Sequence, residues 1–137
     1  MVSTVVGSRR PLGWKVRLIE VVLLVDAITF FVFALLHAGV HLSGLVEPPI
    51  LAATIVESLC VVLTAGAGVA VLTRRVWAWR AAVWSQSVAA AGVFVGILSQ
   101  LSGTGGTQLN FVYHRVIIIV LIVGLVFVLV PSVRKTL

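Results

Sequence analysis

The stretch LIEVVLLVDAITFFVFALLHAG, residues 18–39, decides the fold class of this chain. Apolar residues predominate around the whole helix, and an α-helix needs about 20 such residues to cross about 30 Å of hydrocarbon. Three more apolar blocks of similar length follow, at residues 50–72, 81–101 and 111–130. None shows the alternation over about ten residues that is typical of membrane strands. The sequence therefore predicts four transmembrane helices, at about residues 15–41, 49–73, 76–101 and 109–131, in a single domain of residues 1–137.

The composition agrees with lipid as the solvent of these four blocks. Of the 137 residues, 61% are hydrophobic and 10% are charged, whereas about 25% are charged in an average soluble domain. The predicted fold is all-α, an integral membrane four-helix bundle with antiparallel up-down-up-down order. The single cysteine, Cys60, excludes a disulfide framework and a paired-cysteine metal or redox site, and it is interpreted as a small buried apolar residue.

The basic residues predict the orientation of the bundle. Nine of the ten lie in three places, before the first helix, between the second and third helices, and after the fourth. Four crossings put these places on one side, which the positive-inside rule makes cytoplasmic. We therefore expect a multi-pass plasma-membrane protein with both termini in the cytoplasm. The expected partners are the lipid bilayer and a homo-oligomer or larger membrane complex, and not nucleic acid. The nine residues are Arg9, Arg10, Lys15, Arg17, Arg74, Arg75, Arg80, Arg134 and Lys135.

Ionisable residues inside the apolar blocks are the main indication of function, because a charged group at the centre of a bilayer costs about 2.5–3.5 kcal/mol on insertion scales. Asp26 lies about 9 Å into the first helix, and Glu57 lies about as far into the second from the opposite face. His37 and His41 are four residues apart, which predicts that they stack on one helix face, and Asp26 shares that face. One stripe of the first helix is thus predicted to be polar.

Histidines from two helices predict a candidate ligand or metal site in the outer leaflet. If the first, second and fourth helices meet at the bundle axis, His37, Glu57 and His114 converge. Imidazole and carboxylate are ligands for zinc, copper, iron or nickel, and two histidines can hold a haem iron. The cofactor stays open between a haem, a transition metal and a quinone-like molecule. His41 is included in the site, although a boundary residue hydrated in the headgroup zone explains it more simply.

Other polar residues predict either a polar lining or structural hydrogen bonds between helices. Gln86 and Gln100 are two heptads apart on the third helix, and structural bonds to the buried acids are the favoured interpretation. In the same helix, Gly92 and Gly96 form a GxxxG motif, for which packing within the bundle is favoured over a homodimer seam. Glu47 is expected to pair with Arg115 across two outer loops. The candidate proton-path or polar-lining residues are Asp26, Gln86, Gln100, Asn110, Tyr113 and Arg115.

Three functions remain open at this stage. The chain has no GxSxG, HExxH or phosphate-binding glycine loop, so catalysis is not favoured. The first function is a non-enzymatic subunit or accessory protein of a membrane complex. The second is a haem-, metal- or quinone-binding protein with its site in the outer leaflet. The third is a small oligomeric proton-coupled transporter, in which Asp26 and Glu57 change protonation.

Overall fold

The computed structural model describes residues 13–137 except 104 and 105, and this part of the chain is built from helices. Four of the helices have 22 or 24 residues and are apolar enough to cross a membrane. At 1.5 Å per residue they are about 33–36 Å long. They pack together as an all-α bundle, so the chain has the fold of a small polytopic membrane protein. The helices are α1 (Trp14–His37), α2 (Leu51–Leu72), α3 (Ala78–Leu101), α4 (Gln108–Leu129) and the short α5 (Pro131–Arg134). Arg9 and Arg10, on which the predicted orientation partly depends, lie outside the described residues.

The end of α1 differs from the prediction. The helix ends at His37, four residues earlier than expected, because Gly39 adopts a left-handed conformation with φ +87°. The N–H of Gly39 donates to the carbonyl of Leu36 and the N–H of Val40 to that of Leu35, each at 2.9 Å. This pair of bonds is a Schellman motif, which ends a helix and satisfies its last carbonyls. The predicted stacking of His37 and His41 on one helix face is therefore wrong.

The other helix bounds lie within two residues of the prediction. Another left-handed residue, Arg74 with φ +52°, follows α2, and the N–H of Arg75 donates to the carbonyl of Ala70 at 2.9 Å. Because of this turn, α3 begins at Ala78, two residues later than predicted. At the other end of the chain α4 stops at Leu129, and Pro131 opens α5, a position where the missing N–H of proline costs nothing.

Neighbouring helices in the chain are also neighbours in space. Helix α1 packs along α2, α2 along α3 and α3 along α4, whereas α1 contacts α4 much less. His37 at the end of α1 meets Glu57 near the start of α2, and Trp79 at the start of α3 donates to the carbonyl of Val128 at the end of α4. An up-down order requires contacts of this kind, and the order itself remains a prediction.

Two sets of contacts lie apart in the bundle. At the histidine end, His37 at the end of α1 meets Glu57 of α2, and Gln100 near the end of α3 meets His114 of α4. At the basic end, Trp79 of α3 bonds to Val128 of α4 and Lys15 of α1 lies beside Ser132 of α5, and Arg75 lies just before α3. Each end has its own apolar core cluster, and Cys60, 1% exposed, belongs to the cluster of the histidine end as the sequence predicts.

The GxxxG motif of α3 packs inside the chain, as predicted. A Cβ at Gly92 would lie 2.9 Å from Cγ1 of Val56 on α2, and a Cβ at Gly96 would collide with the ring of His114 on α4. Small residues allow this close approach, which is how helices associate where lipid removes the hydrophobic driving force. The motif therefore joins α3 to both of its neighbours.

Candidate ligand-binding cavity

His37 and Glu57 form a buried pair at the histidine end. Nδ1 of His37, the last residue of α1, lies 2.8 Å from Oε2 of Glu57 in α2. The residues are 1% and 5% exposed, respectively. Glu57 is six residues inside α2, about 9 Å from the start of that helix, so the pair lies below the end of the bundle. The sequence predicts that these two residues converge with His114, and the structure brings His37 and Glu57 into contact. Because Oε2 of Glu57 makes this contact, Oε1 is the oxygen that remains for another partner.

His114 is fixed by contacts with α3 and with its own helix. Its Nδ1 donates to the carbonyl of Asn110 at 2.9 Å, and the side-chain nitrogen of Gln100 lies 3.2 Å from the same atom. A carbonyl only accepts, so Nδ1 carries the proton and Nε2 is the acceptor of a neutral ring. The amide nitrogen of Gln100 is itself a donor, so its approach to Nδ1 is a packing contact and not a second hydrogen bond. The ring lies against Gly96, where a Cβ would come within 2.7 Å of Cδ2. Glycine at position 96 therefore makes the space that His114 occupies.

Tyr113 connects the two histidines. Its ring stacks on Phe33 of α1, with centroids 3.5 Å apart and planes 7° from parallel. It also meets the ring of His114 edge-on at 4.9 Å. Phe33 precedes His37 by one helical turn, and their centroids are 6.2 Å apart. A continuous set of rings thus joins α1 to α4, and because both aromatic residues are held by stacking, the hydroxyl of Tyr113 has a fixed position.

A cavity of about 150 Å³ lies beside these residues, between α2, α3 and α4. Three of its lining residues carry a buried polar atom that makes no hydrogen bond of good geometry, namely Oε1 of Glu57, Oδ1 of Asn110 and the hydroxyl of Tyr113, and the side chains of Tyr113 and Glu57 lie close enough to interact with each other. Leaving such a group unpaired costs about 1–3 kcal/mol, so buried polar atoms in native proteins nearly always have a partner. Three of them beside one cavity indicate a place for a polar ligand. Ser99, Gln100 and His114 complete the polar part of the wall.

The rest of the cavity wall is apolar and reaches the lipid-facing surface. Phe30, Cys60 and Val93 line its buried side. Val56 and Val95, which are 40% and 64% exposed, line it between α2 and α3. A molecule in the cavity would therefore have its polar atoms among Glu57, Asn110 and Tyr113 and an open path to the hydrocarbon of the membrane.

A second buried pair lies apart from the cavity, nearer the basic end. The side-chain nitrogen of Gln86 donates to Oδ2 of Asp26 at 2.6 Å, and the two residues are 1% and 0% exposed. The predicted bond between a glutamine of α3 and an acid of α1 is confirmed here. Gln100, the second glutamine, instead contacts His114. Neither Asp26 nor Gln86 lines the ligand cavity.

Two predicted site residues lie on the surface instead. His41 is exposed in the connection after α1, because the helix ends before it. Arg115 is exposed and lies over the ring of Phe111, with its guanidinium carbon 3.9 Å from the ring centroid. The expected pairing of Glu47 with Arg115 is wrong, since Glu47 is 2% exposed and accepts a hydrogen bond from the hydroxyl of Thr107.

The donor set and the size of the cavity bear on the identity of a ligand. Among residues 13–103 and 106–137, no group of three or more histidines, cysteines and acids is arranged to hold a metal ion. A cavity of about 150 Å³ accommodates a single six-membered ring, as engineered cavities that bind benzene show. A porphyrin is several times larger than such a ring. The geometry therefore suits a one-ring headgroup better than a haem.

Three residues at the histidine end, of which Gly96 lines the cavity, were not recognised from the sequence. Gly96 was interpreted only as a packing residue, although its i,i+4 partner Gly92 already indicated a close helix neighbour. Phe33 is recognisable one turn before His37 on the polar stripe. Glu47 gave no such signal, since its burial depends on how two loops meet.

Comparison with protein-family models, curated proteins and solved structures finds no match to the chain.

Proposed function

We propose that this protein is a non-enzymatic membrane protein that binds a one-ring quinone or quinol in the cavity at the histidine end. The observation that carries the proposal is the set of three buried polar atoms without a well-formed hydrogen bond, on Glu57, Asn110 and Tyr113, in residues that line one small cavity. The bundle has the basic end in the cytoplasm and the histidine end in the outer leaflet of the plasma membrane, in accordance with the positive-inside rule.

The chemistry of the three atoms matches this ligand class. A phenolic hydroxyl donates as well as accepts, so Tyr113 can donate to a quinone carbonyl. An ionised Glu57 has only acceptor oxygens, and Oε1 can accept from the hydroxyl of a quinol. The side chain of Asn110 contains both a donor and an acceptor, which suits either form. A metal ion would need more ligands than Glu57 and His114 provide at this wall.

The shape of the cavity supports a ligand that enters from the membrane. The volume fits the ring, and the opening beside Val56 and Val95 leaves an apolar tail in contact with lipid. Pockets of this type, mostly apolar with a few convergent polar groups, are the usual binding sites of small molecules. Ala52, which lines the cavity and is exposed on α2, lies at this opening.

Binding of ubiquinone-1 to the detergent-purified protein tests the proposal. We expect saturable binding by calorimetry, and a decrease in affinity of about two- to tenfold in Tyr113→Phe, the effect of one hydrogen bond. The variant keeps the ring that stacks on Phe33. Thr64→Val is the matched control, because Thr64 is fully buried and donates to the carbonyl of Cys60 but does not line the cavity.

A blocking variant gives a second test. Ala52→Trp should abolish binding by filling the opening, whereas Ala65→Trp, at an exposed position of the same helix away from the cavity, should bind as the parent does. Absence of binding to the parent, or equal binding by both tryptophan variants, would contradict the proposal. The accessory-subunit and proton-coupled transporter interpretations would then take its place.

A further inference from the structure

An apolar groove of about 310 Å³ lies between α1 and α4 in the half of the bundle nearer the basic end. It is separate from the ligand cavity, which lies between α2, α3 and α4. It forms because α1 and α4 contact each other little. Gln86, whose amide is bonded to Asp26, is its one polar lining residue. The apolar lining residues are Leu18, Ile19, Val22, Leu23, Ile119, Val120, Val123, Gly124, Phe127 and Val128.

The α1 wall of the groove ends in a lysine. Lys15 precedes the lining residues Leu18, Ile19 and Val22 by three, four and seven positions, so it lies on the same helix face at the mouth of the groove. Nζ of Lys15 is 2.9 Å from the hydroxyl of Ser132 in α5, a contact that crosses from one wall to the other. The lysine ammonium has three N–H groups that can donate hydrogen bonds, so two of them remain for the acceptor atoms of a ligand.

The length of the groove corresponds to one leaflet. Its α4 wall runs from Ile119 to Val128, about 14 Å at 1.5 Å per residue. Half of a hydrocarbon core of about 30 Å is about 15 Å. Ile119 and Val123 are each 62% exposed, so the groove is open to lipid along its length. Its dimensions match one acyl chain that starts at the basic end and reaches the bilayer midplane.

The charges at the mouth favour an anionic headgroup. Arg17, Arg134 and Lys135 are exposed at the same end as Lys15, and basic groups near a membrane surface attract anionic lipids. Among the described residues of this end, Glu20 is the one acid, and it does not line the groove. A second copy of the chain docked in parallel would bring its own basic residues to the same place. Repulsion between the two sets argues for lipid as the occupant.

We propose that the groove binds one acyl chain of an anionic phospholipid, with the lipid phosphate held by Lys15 and Ser132. The chain fills the space between α1 and α4 that the protein's own side chains leave open. In this role the lipid adds to the few direct contacts between α1 and α4 and strengthens their connection at the basic end.

Native mass spectrometry of the full chain in detergent, titrated with dioleoyl-phosphatidylglycerol or dioleoyl-phosphatidylcholine, tests the proposal. We expect one retained phosphatidylglycerol per chain, with a preference of about fivefold or more over phosphatidylcholine. Lys15→Gln should lower that preference by about fivefold, the contribution of one basic residue near an anionic surface. Arg75→Gln is the control, since Arg75 lies at the same end between α2 and α3 and should change nothing.

A steric variant tests the acyl-chain part of the proposal. Val123→Trp should fill the groove and abolish lipid retention, whereas Val126→Trp should not, because Val126 is 61% exposed on the same helix and does not line the groove. Both positions are exposed, so both variants should fold, which their melting temperatures would check. Retention of lipid by Val123→Trp, or equal retention of the two lipids by the parent, would overturn the proposal. A mass of two protein chains that is present for the parent and absent for Val123→Trp would also overturn the proposal, since a second copy of the chain would then occupy the groove.

Discussion

Replacement of Gly96 by alanine should destabilise the histidine end through a collision with His114. The new Cβ would come within 2.7 Å of Cδ2 of the imidazole. The ring has little freedom to move away, because its Nδ1 donates to the carbonyl of Asn110 and its face meets the edge of Tyr113. Relief of the collision therefore requires a displaced ring or a wider gap between α3 and α4.

The expected magnitude follows from three contributions. Insertion of a methyl group into a well-packed site costs about 1–3 kcal/mol, and loss of the hydrogen bond from His114 adds about 1 kcal/mol. Replacement of glycine by alanine within a helix by itself raises the free energy of unfolding by about 0.5–1 kcal/mol. We expect the free energy of unfolding of Gly96→Ala to fall by about 1–3 kcal/mol. Quinone affinity should fall as well, because the displaced ring would enter the cavity that it lines.

Reversible unfolding of the detergent-solubilised protein, followed by circular dichroism, measures this effect. Gly66→Ala is the matched control, since Gly66 is also helical but a Cβ there would meet no atom within 4 Å. We expect the control to be neutral or to gain up to about 1 kcal/mol. If Gly96→Ala were as stable as Gly66→Ala, the ring of His114 would not lie against α3, and the described cavity wall would be wrong.

Variants at three further positions test individual contacts by the same unfolding measurement. Glu57→Ala leaves Nδ1 of His37 without its partner and should cost about 1–3 kcal/mol. Glu57→Gln should cost less than half as much, and equal losses would argue against the pair. Asp26→Ala should likewise cost about 1–3 kcal/mol by orphaning Gln86, whereas Asp26→Asn offers a donor to the unpaired Oε1 of Gln86 and should be neutral or stabilising. Gly39→Ala forces a left-handed alanine and should cost about 1–2 kcal/mol; an unchanged stability would contradict the helix end.

Hydropathy was sufficient to predict the four helices, because the blocks are long, predominantly apolar and separated by glycine, proline or charge. The helix ends were harder. Gly39 ends α1 before His41 through a backbone conformation, and apolar residues continue past it in the sequence. Burial of Glu47 could not be predicted either, since it depends on contact with Thr107, 60 positions later in the chain.

The candidate site was predicted in part. His37 and Glu57 meet because both lie about 9 Å or less from the same end of adjacent helices, which helix geometry alone indicates. The bond between Asp26 and Gln86 followed from the rule that buried polar groups in lipid seek partners. The position of the cavity did not follow, because it depends on the fit of His114 against Gly96 and of Tyr113 on Phe33. Such packing is a property of three helices together.

Burial of the acids and histidines in lipid requires that the histidine end and the basic end face opposite sides of a membrane. In a Cys60→Ala background, single cysteines at the exposed positions His41 and Arg75 can be treated in intact cells with a membrane-impermeant maleimide. We expect His41→Cys to react in intact cells and Arg75→Cys to react only after lysis. Reaction of both cysteines from the same side would contradict the four crossings, and with them the burial of the acids and histidines in lipid.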